Sequence, residues 1–409
     1  MYIALWGLFM VVGFFELRLS GIMRFPLWLQ PGLAANCPEL KTVYFYEQLD
    51  CDIDEVISLL PQDSRLVKIT KISKRGILEL LQHEKLDRLV VMAQRIPDSC
   101  LVSAAKSLSI PTIMYQHGLY IPFMKRQGSL FVTNFIKAFR FLKYALVTAD
   151  IISVSRSWLV VQYIRMFIFG RPFRDIVFPA DAVNADTVLV YGNHWKEYHT
   201  ENFGYSADQQ YIVGAPDFVD INGLQGEDMV SNSVCYIAQT LVEDGRLPRR
   251  SMLAFISNLS NAVAQSGLHL QIRLHPRSDL SLYDQLPAGT VFSKTEFPKN
   301  TVYIGHYSSI LAKATFCSNN IILIDFPEHV IPNYISMLAK VRLDYDDQAG
   351  LTSELAIAVD NGIDQSEVSV NIDKQNRYFD SSINSPLDTA AIKILNLFEQ
   401  TKLGAKESC

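Results

Sequence analysis

From about residue 40 the chain alternates two hydrophobic patterns. Short runs rich in β-branched and aromatic residues, at 42–47 (TVYFYE), 65–70, 87–93 (DRLVVMA) and 111–116 (PTIMYQ), read as strands. Between them, 75–83 and 97–108 carry helical spacing, the helices continue over 125–170, and 187–191 (TVLVY) and 210–213 (QYIV) return to strand. These strands are apolar throughout instead of alternating with polar positions, which predicts a parallel sheet covered on both faces. A stretch rich in Gly, Asp, Ser and Asn at 223–233 reads as a linker. The alternation then repeats: strand 234–240 (VCYIAQT), amphipathic helix 249–266, strand 268–274, strand 301–304, a helix starting at 308–315, strand 320–325 (NIILID) and helix 388–400. Residues 403–409 read as a frayed tail. The expected division is an apolar segment 1–40, a first Rossmann-like domain 41–225, a second 226–385, and a C-terminal helix and tail 386–409. Two facing α/β domains of this kind are expected to place a ligand-binding cleft between the C-terminal ends of their sheets.

Length and composition agree: 409 residues suit two domains, and 49% apolar with 19% charged residues excludes a disordered chain. The net charge of −5 lacks the basic footprint of a nucleic-acid binder. Six scattered cysteines, with no CxxC pair and no histidine at zinc-ligand spacing, point away from a zinc site or disulfide scaffold and toward a reducing cytosol. The uncharged start, residues 1–15, is shorter than the ~20 residues of a spanning helix and lacks the basic head and cleavage site of a secretory signal. Its pattern fits either a buried element or an interfacial anchor. Between 125 and 175, nine Lys and Arg residues interleave with Phe, Trp and Tyr against only Asp150 and Asp175. That pattern predicts peripheral contact with an anionic membrane, a pair of core helices with basic edges being the plainer alternative.

Three short motifs follow strand ends in the second half. Glu243-Asp244-Gly245 places two carboxylates side by side, where repulsion favours a proton acceptor near neutrality; an acidic loop ahead of a helix is the simpler account. His275-Pro276 lies between Arg273 and Arg277, a positive setting suited to a phosphate. Gly305 precedes Ser308-Ser309 at a helix start, where hydroxyls and backbone N–H groups suit an anion or simply cap the helix. In the first half, Gln116-His117-Gly118 ends a strand and is a candidate acceptor contact. Asp52-x-Asp54 and Asp344-x-Asp346 read as solvated loops, neither at a strand end suited to a metal-held diphosphate.

The ordered set Glu-Asp-Gly, His-Pro, Ser-Ser resembles the D/E-D/E-G, HP and SS motifs of bacterial sialyltransferases and polysialyltransferases, and related CMP-Kdo transferases have similar elements. The likeness covers about residues 234–328; LVYGNHWKEYH and YIVGAP in the first half resemble GT-B transferases of capsule and teichoic-acid synthesis at the level of fold. The resemblance implies an α/β GT-B enzyme of bacterial surface-glycan (capsule or lipopolysaccharide) synthesis, an inverting glycosyltransferase needing no metal or other cofactor. Its donor would be a CMP-activated sialic acid, another nonulosonate or Kdo, and its acceptor a glycan or glycolipid hydroxyl. Glu243, with Asp244 as rival, would be the base. His275, with Pro276, Arg273, Gly305, Ser308 and Ser309 around it, would hold the CMP phosphate, and Glu328 the ribose. Gln116 and His117 would meet the acceptor. The expected location is cytoplasmic, peripheral on the inner face of the membrane. A CDP-glycerol or CDP-ribitol phosphotransferase and a non-catalytic GT-B scaffold in a capsule complex are the alternatives.

Overall fold

The computed structural model describes residues 10–116, 118–119, 131–168, 178–218, 224, 230–275, 277–287, 289–293, 297–327 and 330–407. The chain divides into two compact units: Met1–His117, Thr133–Pro216 and Ser385–Cys409 in one, Gly118–Val132 and Asp217–Asn384 in the other.

The first unit is built on seven parallel strands: β1 (Val11–Phe15), β2 (Lys41–Tyr46), β3 (Ser64–Lys68), β4 (Arg88–Val91), β5 (Thr112–Tyr115), β6 (Thr187–Val190) and β7 (Gln210–Ile212). Their order, β3-β2-β1-β4-β5-β6-β7, reverses direction between β1 and β4. Phe14, Phe15, Tyr44, Phe45, Leu89 and Val90 are fully buried, which is why these strands read as unbroken apolar runs. The expected boundary at residue 41 is therefore corrected. β1 pairs with both β2 and β4 in mid-sheet, so Val11–Phe15 is core. Gly13 packs closely there: a Cβ would lie 2.7 Å from Leu86 Cδ1 and 3.0 Å from Phe45 Cε2, so the Leu86 side chain would have to shift. Residues 1–9 lie outside the described residues.

The last helix, Pro386–Glu407, packs on the helix Phe25–Asn36 of this same unit and is no separate element. Gly32 permits the approach: a Cβ on it would meet Asp388 Oδ1 at 2.7 Å and Ala391 Cβ at 3.0 Å. Buried Arg88 donates from Nη1 to Ile394 O at 2.7 Å. The expected frayed tail at 403–409 is helical to Glu407.

The second unit has six parallel strands: β8 (Val230–Ile237), β9 (His269–Arg273), β10 (Val291–Ser293), β11 (Asn300–Gly305), β12 (Ile321–Asp325) and β13 (Val341–Asp344). They run in the order β10-β9-β8-β11-β12-β13. The predicted linker overlaps β8, which begins at Val230 and not at 234. The predicted helix at 249–266 is observed as Arg249–Ser266. The longest helices of this unit that escaped the sequence reading are Gln348–Asn361 and Gln365–Phe379. Their Val, Thr, Ser and Asn content gives weak helical propensity. Side-chain caps start them: Asp347 Oδ1 accepts from Gly350 N at 2.8 Å, and Asp364 Oδ1 from Ser366 N at 2.8 Å.

Candidate functional site

β9, β8 and β11 are adjacent and parallel, so the loops leaving their C-terminal ends emerge side by side. These loops carry His275, Glu243-Asp244-Gly245 and Ser308-Ser309 respectively. The sheet thus gathers motifs spread over more than sixty residues of sequence, from Glu243 to Ser309, onto one edge.

After β8 the chain makes a tight turn in which Asp244 N donates to Thr240 O at 3.0 Å and Gly245 N to Val242 O at 2.9 Å. Gly245 has φ +64, the left-handed region that favours glycine, which accounts for the third motif position. The two carboxylates have different surroundings. Asp244 Oδ1 accepts from Arg277 Nη1 at 2.9 Å and Oδ2 from Thr240 Oγ1 at 3.1 Å, with Arg246 Nη2 at 4.0 Å. Burial raises its pKa, but Arg277, Arg246 and Thr240 outweigh that and hold the carboxyl below the ordinary range. Glu243 instead accepts the backbone N–H of Asp279 on Oε1 at 2.7 Å, while its enclosed Oε2 makes no hydrogen bond. Asp244 is a clamped anion, and Glu243 keeps one oxygen uncommitted.

The loop after β9 folds back on itself. His275 N donates to Ser278 Oγ at 3.0 Å, Ser278 N to His275 O at 2.9 Å, and Arg277 N to His275 Nδ1 at 3.1 Å. A ring nitrogen that accepts from an N–H carries no proton, so the neutral imidazole holds its hydrogen on Nε2. The positive flank expected around His275 is altered: Arg277 is paired with Asp244. Arg273 is half-buried, its Nη1 near Leu274 O at 3.3 Å, and burial lowers its pKa. Pro276 lies outside the described residues. Beside this loop is a recess of about 660 Å³, lined by Leu274, Leu280, Tyr283, Asp284, Thr290 and Phe292 among others.

At the end of β11, a Cβ on Gly305 would press on Leu311 Cδ1 at 3.3 Å. Ser308 caps the short helix Ser309–Ala314, its Oγ accepting from Ile310 N at 3.2 Å, which leaves its hydroxyl hydrogen to donate elsewhere. Ser309 Oγ donates to Asp217 Oδ2 at 2.5 Å. Sequence reasoning missed Asp217, Thr240, Arg246 and His306, since each matters through contacts distant in sequence.

His306 is fully enclosed. Its Nδ1–H donates to Ile324 O at 3.1 Å, and Nε2 accepts from Tyr236 OH at 2.9 Å. Desolvation pushes its pKa down to about 4, and burial does the same to His199 in the first unit, also to about 4, against a backbone bond to Trp195 O. Both are protonated more readily unfolded than folded, so stability is intact above pH 6.5 and falls as pH drops toward 4. We expect a loss of about 2 kcal/mol per histidine between pH 7 and 5. Urea titrations at the two pH values check this, and His306→Gln should flatten the second unit's share.

In the first unit, Gln116 is fully buried and its Oε1 accepts from Tyr191 N at 3.1 Å, tying the ends of β5 and β6. This corrects its assignment as an acceptor contact, because the amide lines no surface. His117 and Glu328 lie outside the described residues. Asp52 Oδ1 accepts from Asp54 N at 3.0 Å and caps the helix Ile53–Leu59. Asp344, contrary to expectation, does end a strand, β13, and is exposed there.

No protein-family model matches the chain, and no curated protein matches it in sequence. Solved structures do match. The glycosyltransferase of kitacinnamycin is 13% identical with a TM-score of 0.52, covering 95% of this chain and 99% of that one. The calicheamicin glycosyltransferase CalG4 is 13% identical at 0.54, over 96% and 100%. A putative UDP-N-acetylglucosamine 2-epimerase from Listeria monocytogenes is 10% identical at 0.56, over 96% and 98%. None of these three is a sialyltransferase. At such identities the likeness establishes architecture: the chain has the GT-B fold, two Rossmann-like α/β domains on parallel sheets.

Proposed function

We propose that this chain is an inverting glycosyltransferase whose donor is a CMP-activated nonulosonate or Kdo and whose acceptor is a hydroxyl of a surface glycan or glycolipid. The observation that carries the reading is the convergence of the Glu243, His275 and Ser308 loops on neighbouring strand ends of one sheet. His275, its Nδ1 engaged by Arg277 N, presents Nε2–H to the donor phosphate, and the Ser308 hydroxyl adds a second donor. Glu243 Oε2, enclosed in this structure, is uncovered as the acceptor seats and takes its proton as the acceptor oxygen bonds to the anomeric carbon. The bond from that carbon to the phosphate oxygen breaks, and CMP departs with the electron pair. A monophosphate carries less charge than a diphosphate, and preorganised organic donors worth ~3 kcal/mol each suit it without a metal.

Melting temperatures with CMP, CDP, UDP and GDP in EDTA test the reading. A ligand at ~100 times its Kd adds about 2.7 kcal/mol, a readable shift. We expect stabilisation by CMP that survives EDTA and disappears in His275→Ala. Stabilisation by UDP or GDP with none by CMP would remove the donor assignment.

A further inference from the structure

Among the described residues, no helix is long and apolar enough to cross a membrane. One helix of the first unit nevertheless turns a broad apolar face outward. In Arg156–Ile168, Trp158, Val160, Val161 and Ile164 are 41%, 36%, 48% and 53% exposed, whereas Leu159 is fully buried. At ~100° per residue the exposed four span about 160° of the helix surface, and Leu159 lies outside that arc. Isolated exposed apolar residues are ordinary, but four on one arc form a patch. On the preceding helix, Phe131–Ile151, Phe139 is 54% exposed with Lys143 Nζ 5.1 Å from its ring centre.

The start of the apolar helix is linked through Asp150 to a group of cations. Arg156 Nε donates to Asp150 Oδ1 at 2.5 Å, and Lys74 Nζ reaches the carbonyl oxygen of the same Asp150 at 2.9 Å. Lys74 brings the exposed Lys71 and Arg75 with it, and Lys68 ends the neighbouring strand β3. Two acidic groups of this segment are paired within it, Asp150 with Arg156 and Glu79 with Arg75 at 2.6 Å, which leaves Lys68, Lys71 and Lys74 in excess. A chain of net charge −5 thus keeps a cationic cluster linked to the first turn of the helix that carries its apolar face.

We infer that this face, Trp158, Val160, Val161 and Ile164 with the cations around Lys74, docks on an anionic lipid surface. Apolar side chains of an interfacial helix enter the boundary between headgroups and acyl chains while adjacent cations meet anionic headgroups. A second copy of the chain would set like charges against each other, whereas anionic lipid neutralises them. The inference stands apart from the proposed reaction, since a chain inactive as a transferase would dock equally.

Sedimentation of the full chain with vesicles of phosphatidylcholine, alone or mixed with phosphatidylglycerol, is the test. We expect about tenfold more bound chain on the anionic vesicles, with a blue shift in emission that Trp158→Phe removes. Val161→Asp with Ile164→Asp should abolish binding, and Lys68→Glu with Lys71→Glu should erase the preference for anionic lipid. Should the apolar variant fold poorly, the lysine variant and the Trp158 emission decide. Equal binding to both vesicle types, or none, overturns the inference. So does self-association that Ile164→Asp abolishes without any vesicle binding, which would give the face to a second copy.

Discussion

Glu243→Gln is expected to lower kcat by about 10³-fold, the range a positioned general base supplies, while leaving the melting temperature nearly unchanged. Glutamine keeps a carbonyl oxygen to accept from Asp279 N, so the loop geometry is preserved. What it loses is the uncommitted Oε2, the atom proposed to take the acceptor proton. Asp244→Asn should behave differently. Asp244 is bound to Arg277 and Thr240, so its loss frees Arg277 and loosens the turn. The expected cost is about tenfold in kcat/KM, with a lower melting temperature. If Asp244→Asn abolished turnover and Glu243→Gln stayed within a few fold of the parent, Asp244 would be the base. If both variants matched the parent in product formation, neither carboxylate takes part in the chemistry, and the scaffold reading gains.

That contrast marks the limit of what local sequence carries. The motifs and most strands were legible because each is a short contiguous signal: an apolar run, a turn glycine, a proline after a histidine. The difference between Glu243 and Asp244 was not, because it depends on Arg277 and Asp279, more than thirty residues away and brought close by the pairing of β8 with β9. β1 was left open between a buried element and an anchor for a related reason. Its apolar residues continue an apolar start, and only pairing with β2 and β4 distinguishes a central strand from an anchor. Gln116 misled because a polar residue at a strand end suggests a ligand contact, while its actual partner, the Tyr191 N–H, lies seventy-five positions on. The basic and aromatic interleaving was visible, yet the cations now placed beside the exposed helix come in part from Lys68–Arg75, a segment linked to it through Asp150.

The largest effect on stability should come from Arg95→Met. Glu16 follows β1 and Arg95 follows β4, the two strands between which the first sheet reverses order, and ligands of such sheets bind outside the strand ends at that point. Arg95 donates from Nε and Nη2 to the two oxygens of Asp98, at 2.6 and 2.9 Å, and from Nη1 and Nη2 to Glu16 Oε2 at 3.2 Å. The carboxylates are 2% and 1% exposed. One cation therefore serves two buried carboxylates, and removing it takes that counter-charge from both. Breaking a buried pair in this way costs about 3–5 kcal/mol, to be read from urea unfolding at pH 7. Asp98→Asn should cost less, because Arg95 and Glu16 remain a balanced pair. The penalty of Arg95→Met should shrink as pH falls from 7 to 5, since buried carboxylates that have lost the guanidinium take up protons more readily than those beside it. Adding Glu16→Gln to Arg95→Met should recover part of the loss by removing one of the stranded charges. A penalty under about 1 kcal/mol, or one indifferent to Glu16→Gln, would mean that the triad is solvated enough to contribute little. The strand ends at the reversal would then be held by their apolar packing alone.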